Sequence, residues 1–288
     1  MSAACGPRLR SPAPSPAATL KARLPGRRVK HQARKRFGQN FLTDESAITA
    51  IVAAINPAPG ECLVEIGPGL GALTRPLLTA AGQLHAIEID RDLAQALAQE
   101  FGARLKLHTG DVLKYDFSAL GERLRVIGNL PYNISTPLLF HLADYAAHIR
   151  DIHVMLQKEV VERMVAAPGD SDFGRLSVML QYRFELEKLL DVPALAFDPV
   201  PKVDSAVIRL TPLRPQRYIA RDETQFARVV AAAFSQRRKT VRNSLRGLIA
   251  EPAFAALGIS PAARAQELSV AQFIALADHV TGLPEKPV

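Results

Sequence analysis

Apolar positions follow two rhythms in this chain. Short continuous apolar runs bounded by Gly, Pro, Asn or Asp predict buried strands, and apolar residues at helical spacing predict amphipathic helices. Asp44 is a good N-cap for a helix through Ile48, Ile51, Val52 and Ile55, which Asn56-Pro57 ends. Glu61 to Ile66 reads as a strand, followed by the turn Gly67-Pro68-Gly69-Leu70-Gly71 and a helix from near Ala72. Further strands are expected at Leu84 to Ile89, Arg104 to His108, Leu124 to Ile127, Ile152 to Leu156 and Val207 to Leu210. Helices are expected between them at Arg91 to Phe101, Pro137 to Ala147, Lys158 to Ala166 and Gly174 to Phe184. Such alternation predicts an α/β fold with a mostly parallel, twisted sheet and helices on both faces. Beyond Pro212 and Pro215 the pattern is purely helical from Arg221 to Val280. Three segments follow: a tail over 1–29 without periodicity, an α/β domain over 30–213 and a small all-helical domain over 214–288.

Composition changes this picture in one respect, the placement of charge. With 288 residues, 48% of them hydrophobic, the chain can bury a sizeable core. Its net charge of +8 is local: residues 1–40 hold ten Lys or Arg and no acid, which leaves 26 basic against 28 acidic residues elsewhere. A second basic cluster, Arg237, Arg238, Lys239, Arg242 and Arg246, lies in the acid-free stretch Thr224 to Ala250, and without acidic partners its mutual repulsion favours a polyanion such as RNA over a merely solvated helix face. The Ala-, Pro- and Arg-rich tail reads as a disordered basic segment, an organelle transit peptide or the product of a wrongly assigned start codon. Cys5 and Cys62 are too few for a disulfide framework and fit a reducing compartment. No run approaches the roughly 20 apolar residues of a membrane span.

Candidate chemistry converges on strand ends. The run Leu124 to Ile127 delivers Gly128-Asn129-Leu130-Pro131-Tyr132, where a side-chain amide, a fixed Leu-Pro peptide and an aromatic ring can hold a flat nitrogen heterocycle. Strand, glycine turn and helix at Gly67 make a nucleotide-binding entry, and Glu88 falls about twenty residues later, where a ribose-binding carboxylate is expected. Pro68 and the lack of a third glycine disfavour pyrophosphate and suit an adenosine without phosphates, which ranks a nicotinamide oxidoreductase low. Asp111, after the third strand of the α/β pattern, is either an acceptor for an adenine amino group or a turn N-cap. Arg34-Lys35-Arg36-Phe37-Gly38-Gln39-Asn40-Phe41-Leu42 can be read as a basic loop anchored by Phe37 and Phe41.

Asn129-Leu130-Pro131-Tyr132 resembles the signature of adenine-N6 methyltransferases. Phe37 to Leu42, Glu65 to Gly69, Asn129 to Pro137, Met155 to Val161, Pro199 to Ala206 and Gln236 to Leu245 together look like the small-subunit ribosomal RNA adenine dimethyltransferase family, the KsgA type. Relatives acting on large-subunit RNA share the front half, and the last two stretches resemble the small-subunit enzymes. The resemblance implies a Rossmann-like sheet that uses S-adenosylmethionine, held by Asn40, Leu42, Gly67, Glu88, Asp111 and Asn129, with no metal. It implies a catalytic turn of Asn129, Leu130, Pro131 and Tyr132, with Phe197 closing the other face of the base, and RNA contacts from Arg237, Arg238, Lys239 and Arg242. In that mechanism Leu130 acts through its carbonyl, so Leu130→Pro is expected to be tolerated better than Pro131→Gly. The implied reaction dimethylates N6 of two adjacent adenines in the 3′-terminal hairpin loop of small-subunit ribosomal RNA, within an immature subunit. A cytoplasmic monomer is expected. A ribosome-assembly factor that binds without catalysis is the main competing reading, and a DNA adenine methyltransferase ranks below it.

Overall fold

The computed structural model describes residues 39–236 and 238–282. In chain order the elements are β1 (Phe41–Leu42), α1 (Glu45–Ile55), β2 (Leu63–Ile66), α2 (Thr74–Ala81), β3 (Leu84–Glu88), α3 (Arg91–Phe101), β4 (Leu105–Thr109), β5 (Leu124–Asn129), α4 (Ser135–Asp144) and β6 (Ile149–Gln157). They continue with α5 (Lys158–Val165), α6 (Arg175–Gln181), β7 (Phe184–Val192), β8 (Phe197–Asp198), β9 (Ser205–Pro212), α7 (Glu223–Phe234), α8 (Val241–Ser244), α9 (Glu251–Ala256) and α10 (Val270–Thr281).

Seven strands form one sheet in the order β4-β3-β2-β5-β6-β9-β7. Five run parallel from β4 to β6, and β9 is antiparallel to both β6 and β7. The inner parallel strands are mostly apolar on both faces because helices cover both, whereas the edge strand β4 is partly exposed. Val64, Ile66, Leu124 and Val126 face a core with Leu138, Leu139 and Leu142 of α4 and Val161 and Met164 of α5. Leu63 and Ile127 face the other, with Ile48, Ile51, Ile55, Leu77, Leu78, Leu97 and Phe101.

The expected helix Gly174 to Phe184 ends at Gln181, and Phe184 instead opens β7, a strand the periodicity did not reveal. A register shift between Lys188 and Leu190 changes the outward-facing parity halfway along it. A two-residue alternation is therefore broken in the sequence although the strand is continuous.

Two anchors set up the site. Arg125, buried at the start of β5, donates to Asp151 at 3.0 Å, to Glu61 at 2.6 Å and to the Ile55 and Asn56 carbonyls at 2.6 and 3.2 Å, tying the C-terminus of α1 to the sheet. At the opposite edge β1 pairs with β8, with Phe41 beside Asp198 and Leu42 beside Phe197, which holds the chain entering α1 over the strand ends. The C-terminal helices surround a further core of Phe226, Val229, Val230, Phe254, Phe273 and Leu276, which also takes in Ala166, Phe173, Val178 and Tyr182 from the segment around α6.

Candidate active site

A cavity of about 370 Å³ opens beyond the C-terminal ends of β2, β3, β4 and β5. Asn40, Leu42, Gly67, Glu88, Asp111, Asn129, Leu130, Pro131 and Tyr132 all line it, so nearly every predicted site residue comes together there. Gly67 and Gly69 adopt φ of 64° and 58°, the left-handed region, which turns the chain sharply out of β2. The Gly67 N–H bonds the Ile87 carbonyl at 2.9 Å.

Glu88 is the clamp of this turn. Its Oε2 accepts the Gly69 N–H at 3.2 Å and its Oε1 the Asp90 N–H at 2.9 Å. Each oxygen keeps a second lone-pair direction for a hydroxyl. Burial raises the pKa of the carboxyl above its ordinary value, against the lowering effect of those N–H donors.

Glu65 is marked in the sequence only as part of the Glu65 to Gly69 motif. It lies 2% exposed at the cavity floor, accepts the Thr74 hydroxyl at 2.7 Å, and is pushed up to about 7, chiefly by burial and further by the charge of Glu88. The available signal was an acid inside the apolar run Cys62-Leu63-Val64-Glu65-Ile66, since an ionisable group in a fully buried strand needs a reason. Asp111 is a turn cap, its Oδ1 accepting the Leu113 N–H at 3.0 Å, and it also lines the cavity.

The Asn129 turn is locked from several sides. Asn129 Nδ2 donates to the Asn40 carbonyl at 3.0 Å, and because that partner only accepts, the amide is oriented with Oδ1 as its open acceptor. Leu130 N–H donates to the Met155 carbonyl at 3.2 Å, and the residue is buried where it lines the cavity. Leu130→Pro would remove both that hydrogen bond and a buried side chain, which counts against its being well tolerated. The Tyr132 hydroxyl meets Ser205 Oγ at 2.8 Å, and Ser135 Oγ donates to the Tyr132 carbonyl at 3.1 Å. Ser205 is fully buried at the start of β9 and was named in the sequence only as part of a motif.

Two predicted groups lie elsewhere. Phe197 is 2% exposed and packs in the core with Leu42, Met155 and Val207, because its pairing with Leu42 turns the ring inward; it is not among the cavity-lining residues. In the basic cluster Arg238 and Lys239 are exposed, while Arg237 and Phe37 lie outside the described residues. Arg242 does have an acidic partner: Glu251, one residue past the acid-free stretch, meets it at 3.0 Å as the chain folds α9 back on α8. The repulsion argument therefore loses Arg242.

Among the described residues, the charged groups that line the cavity are the acids Glu65, Glu88 and Asp111, a lining that favours an adenosine-bearing cation over a polyphosphate. A parallel sheet with a glycine turn, a strand-end Glu and an Asn-Leu-Pro-Tyr turn around such a cavity defines a Rossmann-like methyltransferase.

The family profile described as "Ribosomal RNA adenine dimethylase" matches residues 30–281. The chain is 58% identical over 251 residues to "Ribosomal RNA small subunit methyltransferase A" of Aromatoleum aromaticum, covering 87% of this chain and 95% of that protein. It is 60% identical to the protein of the same name in Thiobacillus denitrificans, covering 87% and 98%. Among solved structures, a dimethyladenosine transferase from Plasmodium falciparum superimposes with a TM-score of 0.71 at 25% identity, over 82% of this chain and 95% of that one. The 23S rRNA methyltransferase ErmE does so with a TM-score of 0.65 at 27% identity, over 84% and 100%. The chain belongs to the ribosomal RNA adenine dimethylase family, enzymes that dimethylate adenine in ribosomal RNA with S-adenosylmethionine as methyl donor.

Proposed function

We propose that this enzyme dimethylates N6 of two adjacent adenines in the 3′-terminal hairpin loop of small-subunit ribosomal RNA, acting as a cytoplasmic monomer on an immature subunit. The small-subunit assignment is supported by the name shared by relatives that are 58% and 60% identical to this chain. Asn40, Leu42, Gly67, Glu88, Asp111 and Asn129 hold the methyl donor, with Glu88 on the ribose hydroxyls and Asp111 on the adenine amino group. The donor supplies a methyl group on a sulfonium.

The chemical problem belongs to the acceptor, whose exocyclic nitrogen has its lone pair delocalised into the ring. Asn129 Oδ1 and the Leu130 carbonyl accept the two N–H bonds of that amine and favour a tetrahedral nitrogen with its lone pair free. The bond from Asn129 Nδ2 to the Asn40 carbonyl carries this reading, since it spends the donor end of the amide and leaves the acceptor end for substrate. Pro131 fixes the Leu130 carbonyl direction. Tyr132 stacks on the base, a contact worth ~1–3 kcal/mol. Since Phe197 lies in the core, the second face of the base is covered by another group or by a moved β1–β8 segment. The nitrogen becomes acidic as it is alkylated, so water can take the proton and no general base is needed. Alignment of this kind can supply roughly 7–11 kcal/mol.

The target enters unpaired or flipped. Residues 214–288 form the RNA-binding domain, with exposed Arg238 and Lys239 as phosphate contacts. Incubation with unmethylated small subunits and labelled donor, followed by mass spectrometry of the RNA, tests this function: dimethyladenine in the 3′-terminal hairpin is expected, and its absence contradicts it.

A further inference from the structure

A second cleft, of about 560 Å³, lies at the sheet edge opposite the active site. Arg123 precedes β5 directly, Arg150 is near the start of β6, Thr211 is near the end of β9, and Arg214 and Arg217 follow it; all line this cleft. The active cavity sits beyond the other ends of the same strands, roughly 20 Å away for six residues of strand. Four arginines meet there against one lining acid, Glu185.

The arginines are not equivalent. Arg214 Nη2 donates to the carbonyls of Ala146, Ala147 and Ile149 at 3.2, 2.7 and 2.9 Å, which fixes the chain leaving the sheet against the end of α4. Arg150 bonds Glu61 at 2.5 Å and keeps 44% of its side chain exposed. Arg123 and Arg217 are exposed and have no acidic partner among the described residues. Arg123 also holds φ of +56°, a conformation that favours glycine, so the chain keeps a long cationic side chain where backbone geometry selects against one. Two anchored and two unpartnered arginines line one cleft, and planar guanidinium donors match phosphate oxygens in pairs.

We propose that this cleft binds phosphate, and that in the substrate complex the phosphate is a phosphodiester of the RNA whose adenine enters the active cavity. The second half of the proposal rests on the RNA-methylating function given above. The site gives the enzyme a grip on the side of the α/β domain away from the methylated base, so it bears on substrate affinity and leaves the chemical step alone.

The test compares the full-length wild type with R123A/R217A, leaving the anchored Arg150 and Arg214 in place. Inorganic phosphate and pyrophosphate are titrated at low salt and followed by thermal shift, and affinity for unmethylated small subunits is measured across salt concentrations. Expected are an anion-induced rise in Tm in the wild type that the variant loses, a salt slope lower by about 1.4–1.8 for two lost contacts, and a higher KM with unchanged kcat. Lost phosphate response with an unchanged slope assigns the cleft to a free anion and overturns its RNA role. Equal responses and equal slopes in both proteins overturn the proposal entirely. Wild-type protein that fails to produce dimethyladenine would contradict the assigned function, yet the phosphate titration would still decide the cleft.

Discussion

At the scale of single residues, the active turn works by committing one end of each polar group to the protein. Asn129 commits its amino end to Asn40, and Tyr132 commits its hydroxyl to Ser205. On the proposed mechanism Ser205 would act as a positioning residue through Tyr132. Ser205→Ala and Tyr132→Phe remove the same hydrogen bond, worth about 1 kcal/mol, so in kcat the double variant should lose no more than the worse single one. Losses that multiply would show that Ser205 acts by another route. Glu65 makes a pH prediction. Its pKa is raised from 4.5 to about 7 in the folded protein, so the stability tied to its neutral form is fully present below about 4.5 and is lost as pH rises to about 7. The whole effect is on the order of 3 kcal/mol. Urea unfolding of the ligand-free protein should show this decline, and Glu65→Gln should flatten it over that window. The places of Asn129 and Glu88 at the cavity were legible because motif and spacing mark them; those of Glu65 and Ser205 were not, because they follow from burial and from a partner distant in sequence.

At the scale of elements, close approach of β2 and β5 shapes the site. Gly128 pairs with Ile66 across these strands, and a Cβ there would lie 2.8 Å from the Ile66 carbonyl oxygen and 2.9 Å from Leu130 Cδ2. The first neighbour is backbone and cannot rotate away. Gly128→Ala should therefore cost roughly 2 kcal/mol in denaturant unfolding and displace the Asn129 turn, with activity falling further than stability alone explains. The parallel strands and α1 through α5 were legible because short, mostly apolar runs alternate with stretches of helical spacing, and α1 and α3 start at the N-caps Asp44 and Asp90. β7 was not, because its bulge breaks the alternation that identifies a half-buried strand. Phe197 failed for a related reason: its neighbours in sequence show an aromatic near a proline-rich loop, but only the β1–β8 pairing decides which way the ring points.

At the scale of the whole molecule, charge is separated by function. Among the described residues the charged groups lining the active cavity are acids, and exposed cations lie in the C-terminal helical region and at the opposite ends of the strands. The basic stretch after α7 was visible in the sequence, but the Arg242–Glu251 pair was not, since it depends on how α9 packs. Replacing Arg238 and Lys239 together by Ala should lower the salt slope of RNA binding by about 1.4–1.8; an unchanged slope would make them a solvated surface. The most direct measurement is dimethyladenine in unmethylated small-subunit RNA, read by mass spectrometry after incubation with excess methyl donor and either wild type or Asn129→Ala. The oriented Oδ1 of Asn129 predicts full dimethylation by the wild type and none by the variant, with RNA affinity of the two within a few-fold. Undiminished dimethylation by Asn129→Ala would contradict the role of the Asn129 turn in catalysis.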